Sequence, residues 1–296
     1  PLSVQVHPTV AQAEAGFDAE NADGLALDDP ARSFRDDNHK PELIVALTSF
    51  EALVGFDTPD AVLELIDLLD VDELGPVRSV IESSGVAAAV KVIVELDPVD
   101  LRTIVAAVAA HADSIEGHRS GDAALVGQIA REFPGDPGVL LAMLLNRVVL
   151  DPGEGVYLGA GVMHAYVRGF GVEIMANCDN VVRGGLTKKH IDVETLVDIV
   201  DPHAHEPDIL RPAGPVTVYE TPAPEFSLTR LVGPDDWSHT ATGPEIVLAV
   251  SGTSTMSRSG RELTLTPGEA AWIRPGGDPF HVSSDGVVFV AAVGAR

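Results

Sequence analysis

Amide, imidazole and carboxylate side chains occur in this sequence at positions from which they could bind one metal ion. The first candidates lie at the start of the chain, where Ser3, Gln5 and His7 alternate with Val4 and Val6. This alternation is typical of a β-strand with one polar and one apolar face, because successive side chains of a strand point to opposite sides. The strand would present an amide and an imidazole from one rigid edge.

Two later residues could complete such a site. Glu42 offers a carboxylate, and His164 offers a second imidazole. Two nitrogens and two side-chain oxygens suit Zn²⁺ or the divalent metals that share its sites. A polar strand face and a single distant Glu or His are also common without a metal, so the residue pattern by itself leaves both interpretations open.

The sequence also indicates which elements must position these residues. An apolar run at residues 43–48 predicts a strand directly after Glu42, continued by residues 50–54. A Gly-containing turn at residues 159–161 precedes His164, and alternation at residues 171–176 predicts a strand that carries Glu173. We also predict a helical turn at 9–16 and a long polar loop at 17–37, which is either a solvated connector or a flap near the metal.

A helical block separates the two groups of predicted strands. Thr58-Pro59 is a typical helix start, and apolar residues follow it at helical spacing. The further helices are predicted at 76–83, 86–96, 98–113, 122–133 and 137–145.

From residue 216 onward, short apolar segments between Gly and Pro turns predict a second small barrel. Residues 267–276 repeat the pattern of residues 152–161, but the position that corresponds to His164 is Pro279. We therefore expect the C-terminal barrel to lack a metal.

Composition restricts the class of ligand. The chain has 296 residues and a formal net charge of −26, which argues against nucleic acids and anionic membrane surfaces as partners. An anionic substrate would need a local group of the scarce cations, and Arg183, Lys188 and Lys189 form one. The sequence has no apolar run of the ~18 residues that a membrane span needs. Cys178 is the single cysteine, so no intrachain disulfide can form and we expect a cytoplasmic protein.

Four segments carry a recognisable pattern in a fixed order: Ser3–Pro8, Asn38–Glu42, Gly161–Tyr166 and Asn177–Thr187. This pattern resembles the type I phosphomannose isomerase family of the cupin superfamily. Residues 151–164 are similar to the second cupin motif, which ends on a metal-binding His. The first motif is matched with Gln in place of its usual leading His and with a long insertion before the Glu.

The resemblance implies a mainly β fold with two cupin-type jelly-roll barrels and an inserted α-helical domain. We expect residues 1–56 and 146–207 to form the catalytic barrel, 57–145 the helical insertion and 208–296 the C-terminal barrel. Family members carry further strands before the Gln-x-His strand, so we expect residue 1 to lie within the first barrel.

The resemblance also implies a function. Such an enzyme interconverts mannose 6-phosphate and fructose 6-phosphate through a cis-enediol or enediolate, with one Zn²⁺ or another divalent metal per chain, and we expect a monomer. The implied metal ligands are Gln5, His7, Glu42 and His164, the catalytic arginine is Arg183, the phosphate-binding residues are Ser3 and Lys189, and the proton-transfer candidates, which the sequence does not rank, are His39, Lys40, Glu173 and Asp179.

Two other classes of protein remain compatible with these residues. One is a different metal-dependent cupin enzyme, such as a sugar epimerase or an oxygenase. The other is a non-catalytic sugar-binding cupin that keeps its metal for stability. Arg183 discriminates between catalysis and binding, because a binding protein has no need for a guanidinium beside the metal.

Overall fold

Antiparallel strands form most of the framework around the candidate site. A computed structural model describes residues 1–204 and 206–294, and the strands within these ranges form four sheets. In chain order the strands are β1 (Val4–Val6), β2 (Glu42–Ala46), β3 (Phe50–Phe56), β4 (Leu145–Leu150), β5 (Gly155–Leu158), β6 (His164–Arg168), β7 (Gly171–Met175), β8 (Val182–Gly185), β9 (Ile209–Leu210), β10 (Val216–Tyr219), β11 (Phe226–Val232), β12 (Trp237–His239), β13 (Glu245–Ala249), β14 (Ser254–Arg258), β15 (Arg261–Leu265), β16 (Ala270–Ile273), β17 (Phe280–Ser284) and β18 (Val287–Val293).

Helices are concentrated between β3 and β4. The first of that group starts as the sequence predicts, with the Thr58 hydroxyl accepting from Ala61 N–H and Pro59 in the first turn. In the part of the chain that the structure covers, no helix combines the length and apolar character needed to cross a bilayer. The helices are α1 (Val10–Ala22), α2 (Pro59–Leu69), α3 (Gly75–Ser84), α4 (Val86–Val94), α5 (Pro98–His111), α6 (Ser120–Glu132), α7 (Gly138–Ala142) and α8 (Val193–Ile199).

The first sheet has the strand order β4-β3-β6-β1-β8 and separates the helices from the second sheet. On one face, Val4 and Val6 of β1 pack into a large core with the helices. On the other face, Val54 of β3 packs against Ile44 and Leu158 of the second sheet, whose order is β7-β2-β5-β9. The predicted alternation of β1 is therefore confirmed: its valines face the helices, and Gln5 faces the second sheet.

The C-terminal strands form the third and fourth sheets, in the orders β10-β11-β18-β13-β16 and β12-β17-β14-β15. Val247, Phe280 and Val288 belong to the core between them. The outer face of the third sheet packs through Phe289 against Leu43 on the second sheet. The C-terminal region thus lies directly behind the strand that begins with Glu42.

Three local predictions were wrong. The helix predicted at 137–145 ends at Ala142, and Leu145 already begins β4. Residues 50–54 do not continue the strand after Glu42, because β3 belongs to the first sheet. The predicted helical turn at 9–16 is the 13-residue helix α1, which opens with a capping box between Thr9 and Gln12 and runs on to Ala22, so the first part of the predicted loop at 17–37 is helical.

The rest of the predicted polar loop is also more ordered than a solvated connector. Arg32 is 5% exposed and donates to the backbone carbonyls of Leu25 and Phe34 and to Asn21 Oδ1. Glu20 accepts from the backbone N–H groups of Ser33 and Phe34. Buried polar groups with satisfied hydrogen bonds fix a loop that has few apolar residues.

Candidate active site

Strand β1 brings two of the predicted ligands and the predicted arginine onto one face. It pairs with β6 and with β8, and Gln5 lies opposite His164 on one side and Arg183 on the other. Directly opposed residues of an antiparallel pair point to the same side of the sheet. The amide, the imidazole and the guanidinium therefore share one sheet face.

The remaining two ligands complete a tight cluster between the first two sheets. His7 follows β1, and Glu42 opens β2 on the second sheet. Nε2 of His7 lies 3.2 Å from Glu42 Oε1, and Nε2 of His164 lies 3.4 Å from Glu42 Oε2. The ligand atoms of these three residues all lie within 4.8 Å of one another, and the Gln5 amide nitrogen is 3.2 Å from His164 Nε2.

Backbone carbonyls orient both imidazoles. Nδ1–H of His7 donates to the Asn180 carbonyl at 2.7 Å, and Nδ1–H of His164 donates to the Val162 carbonyl at 2.9 Å. A proton held on Nδ1 leaves the lone pair of Nε2 directed to the other side, which is how metal-binding histidines are usually oriented. Both Nε2 atoms face Glu42.

The cluster of His7, Glu42 and His164 could hold one metal ion. Ligands at zinc bond lengths of about 2.05 Å stand about 3.3 Å apart. The His7–Glu42 and His164–Glu42 separations of 3.2 and 3.4 Å are of that size. His7 Nε2 and Glu42 Oε2 are buried without a hydrogen-bond partner in the structure. Buried lone pairs that find no donor are costly, and a divalent cation would satisfy them.

Electrostatics keeps these groups in the form that binds a cation. Burial opposes ionisation of Glu42, but the adjacent His164 and His7 side chains outweigh it and hold the pKa of Glu42 below its usual value. Burial also lowers the pKa of His7, which favours the neutral imidazole. The ammonium group of Lys40 lies beside this cluster, with Nζ 3.0 Å from Glu42 Oε1.

A cationic cavity of about 610 Å³ has Arg183 in its wall. Arg35, Lys188 and Lys189 line it together with Asp179. Burial and then the charge of Arg35 lower the pKa of Arg183, which shows how closely the cations are gathered. In a chain of net charge −26, such a cluster is the local attraction that an anionic substrate requires.

Glu173 lies on β7 beside the metal cluster. It pairs across the sheet with Ile44, two residues from Glu42, and so points to the same side of the second sheet. The Tyr166 hydroxyl donates to Glu173 Oε1 at 2.7 Å. Desolvation and then the charge of Glu42 raise the pKa of Glu173, although the Tyr166 bond works in the opposite direction.

Two other predicted residues lie at the margins of this arrangement. Ser3 is half-buried and directly precedes β1, two positions before Gln5. His39 does not contact the cluster in the way Lys40 does: its Nε2 lies 2.6 Å from Oε1 of Glu225, which precedes β11 in the C-terminal region.

Three residues around the site were not singled out from the sequence. Tyr166 orients Glu173, and Arg35 joins the cationic cavity from the loop before β2. Asn180 is fully buried; its side chain binds the 35–38 segment while its carbonyl holds His7. Tyr166 and Asn180 lie within the recognised segments, where Tyr166 is two residues from His164 and Asn180 directly follows Asp179. This proximity to candidate residues is the sequence signal that could have identified them.

Comparison with known proteins identifies the family of this chain. Residues 1–58 match the family model described as phosphomannose isomerase type I, catalytic domain. Mannose-6-phosphate isomerase of Escherichia coli K12 is 32% identical over 293 residues, covering 97% of this chain and 74% of the relative. The chain belongs to the type I phosphomannose isomerase family.

Members of the family from other organisms and a solved structure show the same relationship. Mannose-6-phosphate isomerase 1 of Arabidopsis thaliana is 31% identical over 321 residues, covering 100% of this chain and 71% of the plant protein. A zinc-bound mannose 6-phosphate isomerase superimposes with a TM-score of 0.89 at 29% identity, covering 100% of this chain and 76% of that structure. The likeness thus extends through the C-terminal region.

Proposed function

We propose that this chain is a zinc-dependent isomerase that interconverts mannose 6-phosphate and fructose 6-phosphate through a cis-enediol or enediolate. The observation that carries the proposal is the convergence of the His7, Glu42 and His164 cluster with Arg183 on the face of β1. A metal site explains the cluster, and a reaction that develops negative charge explains the guanidinium beside it.

Gln5, His7, Glu42 and His164 are the residues that would hold the metal. A bound Zn²⁺ would supply Lewis-acid stabilisation of negative charge on the sugar oxygens. Two neutral imidazoles, a neutral amide and one carboxylate leave such a site with a net positive charge. The donor set therefore favours the enediolate over the neutral sugar, which is the differential stabilisation that catalysis needs.

Arg183 is proposed to stabilise the same negative charge from the other side of Gln5. A guanidinium presents several N–H donors in a plane and can bind two oxygens at once. Lys189, which lines the cavity that contains Arg183, is the proposed phosphate ligand, with Ser3 as a hydroxyl donor. Arg35 adds a further cation to this wall.

For the proton transfer between C1 and C2 we assign Glu173 as the acid–base group. A carboxyl whose pKa is raised by desolvation and by the charge of Glu42 is better suited to both halves of the transfer, and Tyr166 holds it in place. Lys40 Nζ lies 3.0 Å from Glu42 Oε1, beside the metal cluster, while Asp179 lies in the cationic cavity and would act on the opposite end of the sugar.

The architecture is proposed to be that of a two-barrel cupin. The first two sheets form the catalytic jelly roll from residues 1–56 and 146–207, with residues 57–145 as the inserted helical domain and 208–296 as a metal-free barrel. We also propose a monomeric, cytoplasmic enzyme; the single thiol, Cys178, is buried and its pKa is raised to about 12, mainly by desolvation.

A coupled assay on mannose 6-phosphate, with elemental analysis of the same sample, tests the function. We expect turnover that disappears on chelation and returns with Zn²⁺. A metal-loaded protein without turnover would contradict the isomerase and leave a sugar-binding protein. Turnover that survives complete metal removal would contradict the role of the metal cluster.

A further inference from the structure

Glu225 connects the C-terminal region to the segment that carries Lys40 and Glu42. Its Oε1 lies 2.6 Å from His39 Nε2, so the imidazole N–H donates to the carboxylate. Both side chains are largely withdrawn from solvent, with 22% exposure for His39 and 25% for Glu225. A bond between a carboxylate and a partly buried donor is among the stronger hydrogen bonds in proteins.

The backbone at Glu225 packs closely against the end of β18. Gly294 N–H donates to the Glu225 carbonyl at 3.2 Å. A Cβ on Gly294 would stand 2.3 Å from the Pro224 carbonyl oxygen, so the end of β18 approaches this turn as closely as glycine permits. The backbone that carries Glu225 is therefore closely packed against the rest of the C-terminal region.

The segment on the other side depends on few contacts. Cys178 and Asn180 donate to the Asn38 carbonyl, and the Pro41 carbonyl accepts from Ala176 N–H. The sheet ladder of β2 begins only at Glu42. Between these points, His39 is held through its side chain by Glu225.

His39 and Lys40 leave the chain in different directions. Lys40 reaches Glu42 Oε1 in the metal cluster, whereas His39 reaches the C-terminal region. Leu43, near the start of β2, also packs against the C-terminal region. His39 therefore holds the segment against the C-terminal region, while Lys40 points to Glu42 in the metal cluster.

We propose that Glu225 is a positioning residue: through His39 it sets the position of Lys40 beside the metal cluster, so that the C-terminal region is part of the catalytic machinery. This inference rests on the proposed isomerase function. It reassigns His39 from proton transfer to support of the segment.

The test compares Glu225→Ala, Glu225→Gln and His39→Gln in the full chain. We expect Glu225→Ala to lower kcat about 10-fold, as is usual when the partner that orients an active-site group is lost, with KM for mannose 6-phosphate and zinc content nearly unchanged. Glu225→Gln keeps an oxygen acceptor for His39 and is expected to retain most of kcat. Combining Glu225→Ala with His39→Gln should lower kcat no further than the larger single effect, because both remove one contact.

Tyr219→Phe provides the matched control. The Tyr219 hydroxyl donates to the Gly153 carbonyl at 2.6 Å, so this variant also removes one hydrogen bond between the C-terminal region and the turn before β5. It is expected to lower Tm while leaving kcat unchanged. Equal losses of kcat in Tyr219→Phe and Glu225→Ala would overturn the positioning role. So would additive losses of kcat when Glu225→Ala and His39→Gln are combined. An inactive wild-type protein would overturn the isomerase itself, which keeps the two failures distinct.

Discussion

At the scale of single residues, two backbone carbonyls decide what the imidazoles of the site can do. The Asn180 and Val162 carbonyls each accept a hydrogen bond from Nδ1–H of a histidine, which leaves both Nε2 lone pairs facing Glu42. Among the described residues, His7 Nε2 and Glu42 Oε2 find no hydrogen-bond donor. A cation is the simplest partner for such a pair of atoms.

Arg183→Ala should separate catalysis from metal binding. Removing a group that faces developing negative charge typically lowers kcat about 10²–10³-fold. The zinc content should stay at the wild-type level, because Arg183 is not among the clustered ligand atoms. Steady-state kinetics and elemental analysis check this, and simultaneous loss of zinc would assign Arg183 to the support of the metal site instead.

Asn180→Ala should weaken zinc binding without touching a ligand. The Asn180 side chain accepts from Arg35 N–H and donates to the Asn38 carbonyl, and its own carbonyl orients His7. Loss of such an orienting residue costs about 10–100-fold in metal affinity, and the orphaned partners cost about 1–3 kcal/mol in stability. Competition with a chromogenic chelator measures the affinity; unchanged affinity together with a lower Tm would limit Asn180 to a structural role.

At the scale of elements, β1 is short but central. All three of its residues pair with β8, and Gln5 also pairs with His164 of β6. Its alternation places valines on the helical side and Gln5 on the side of the His7, Glu42 and His164 cluster. A shift of one residue in its register would turn every side chain to the wrong face. The position of Arg183 therefore depends on how firmly β8 is docked against β1.

Gly185→Ala tests that docking. A Cβ at Gly185 would stand 2.3 Å from the backbone nitrogen of Gly138 at the start of α7, and backbone cannot move aside as a flexible side chain can. We expect a loss of about 1–3 kcal/mol in unfolding free energy and a fall in kcat of roughly 10-fold or more, because β8 carries Arg183. Denaturant unfolding and kinetics check both effects.

Gly75→Ala is the control for that variant. Gly75 has helical dihedral angles, and nothing lies within 4 Å of its would-be Cβ. This substitution should leave kcat unchanged and stability equal or slightly higher. If Gly185→Ala behaves like Gly75→Ala, the contact between α7 and β8 does not hold Arg183 in place.

At the scale of the whole molecule, the layers explain why the site lies where it does. Helices cover the outer face of the first sheet, and the C-terminal sheets cover the outer face of the second. The two inner faces enclose the ligands, while the cationic cavity gathers positive charge within a strongly acidic protein. The overall negative charge then disfavours other anions except where this cavity attracts them.

Metal removal should lower the stability of the whole fold. A ligand that binds only the folded state at 100 times its Kd adds about 2.7 kcal/mol, so chelation should lower Tm by roughly 5 °C. Differential scanning fluorimetry with and without EDTA measures the shift. His7→Ala should respond to EDTA much less; an equal shift in that variant would mean that the chelator removes a metal from elsewhere.

The sequence by itself determined the local pattern: the polar face of β1, the helix starts at Pro59 and Pro98, the C-terminal strands and the four recognised segments. These depend on the spacing and dihedral preferences of nearby residues, which any chain carries with it. The family resemblance also named ligands scattered over some 160 positions.

Only the tertiary structure decided what each candidate touches. It paired Gln5 with His164 and Arg183, joined Lys40 to Glu42, and turned His39 toward Glu225. It also buried Asn180 under the 35–38 segment. Such contacts join residues that are far apart in the chain, and they depend on strand register and on how layers pack, which no local spacing encodes.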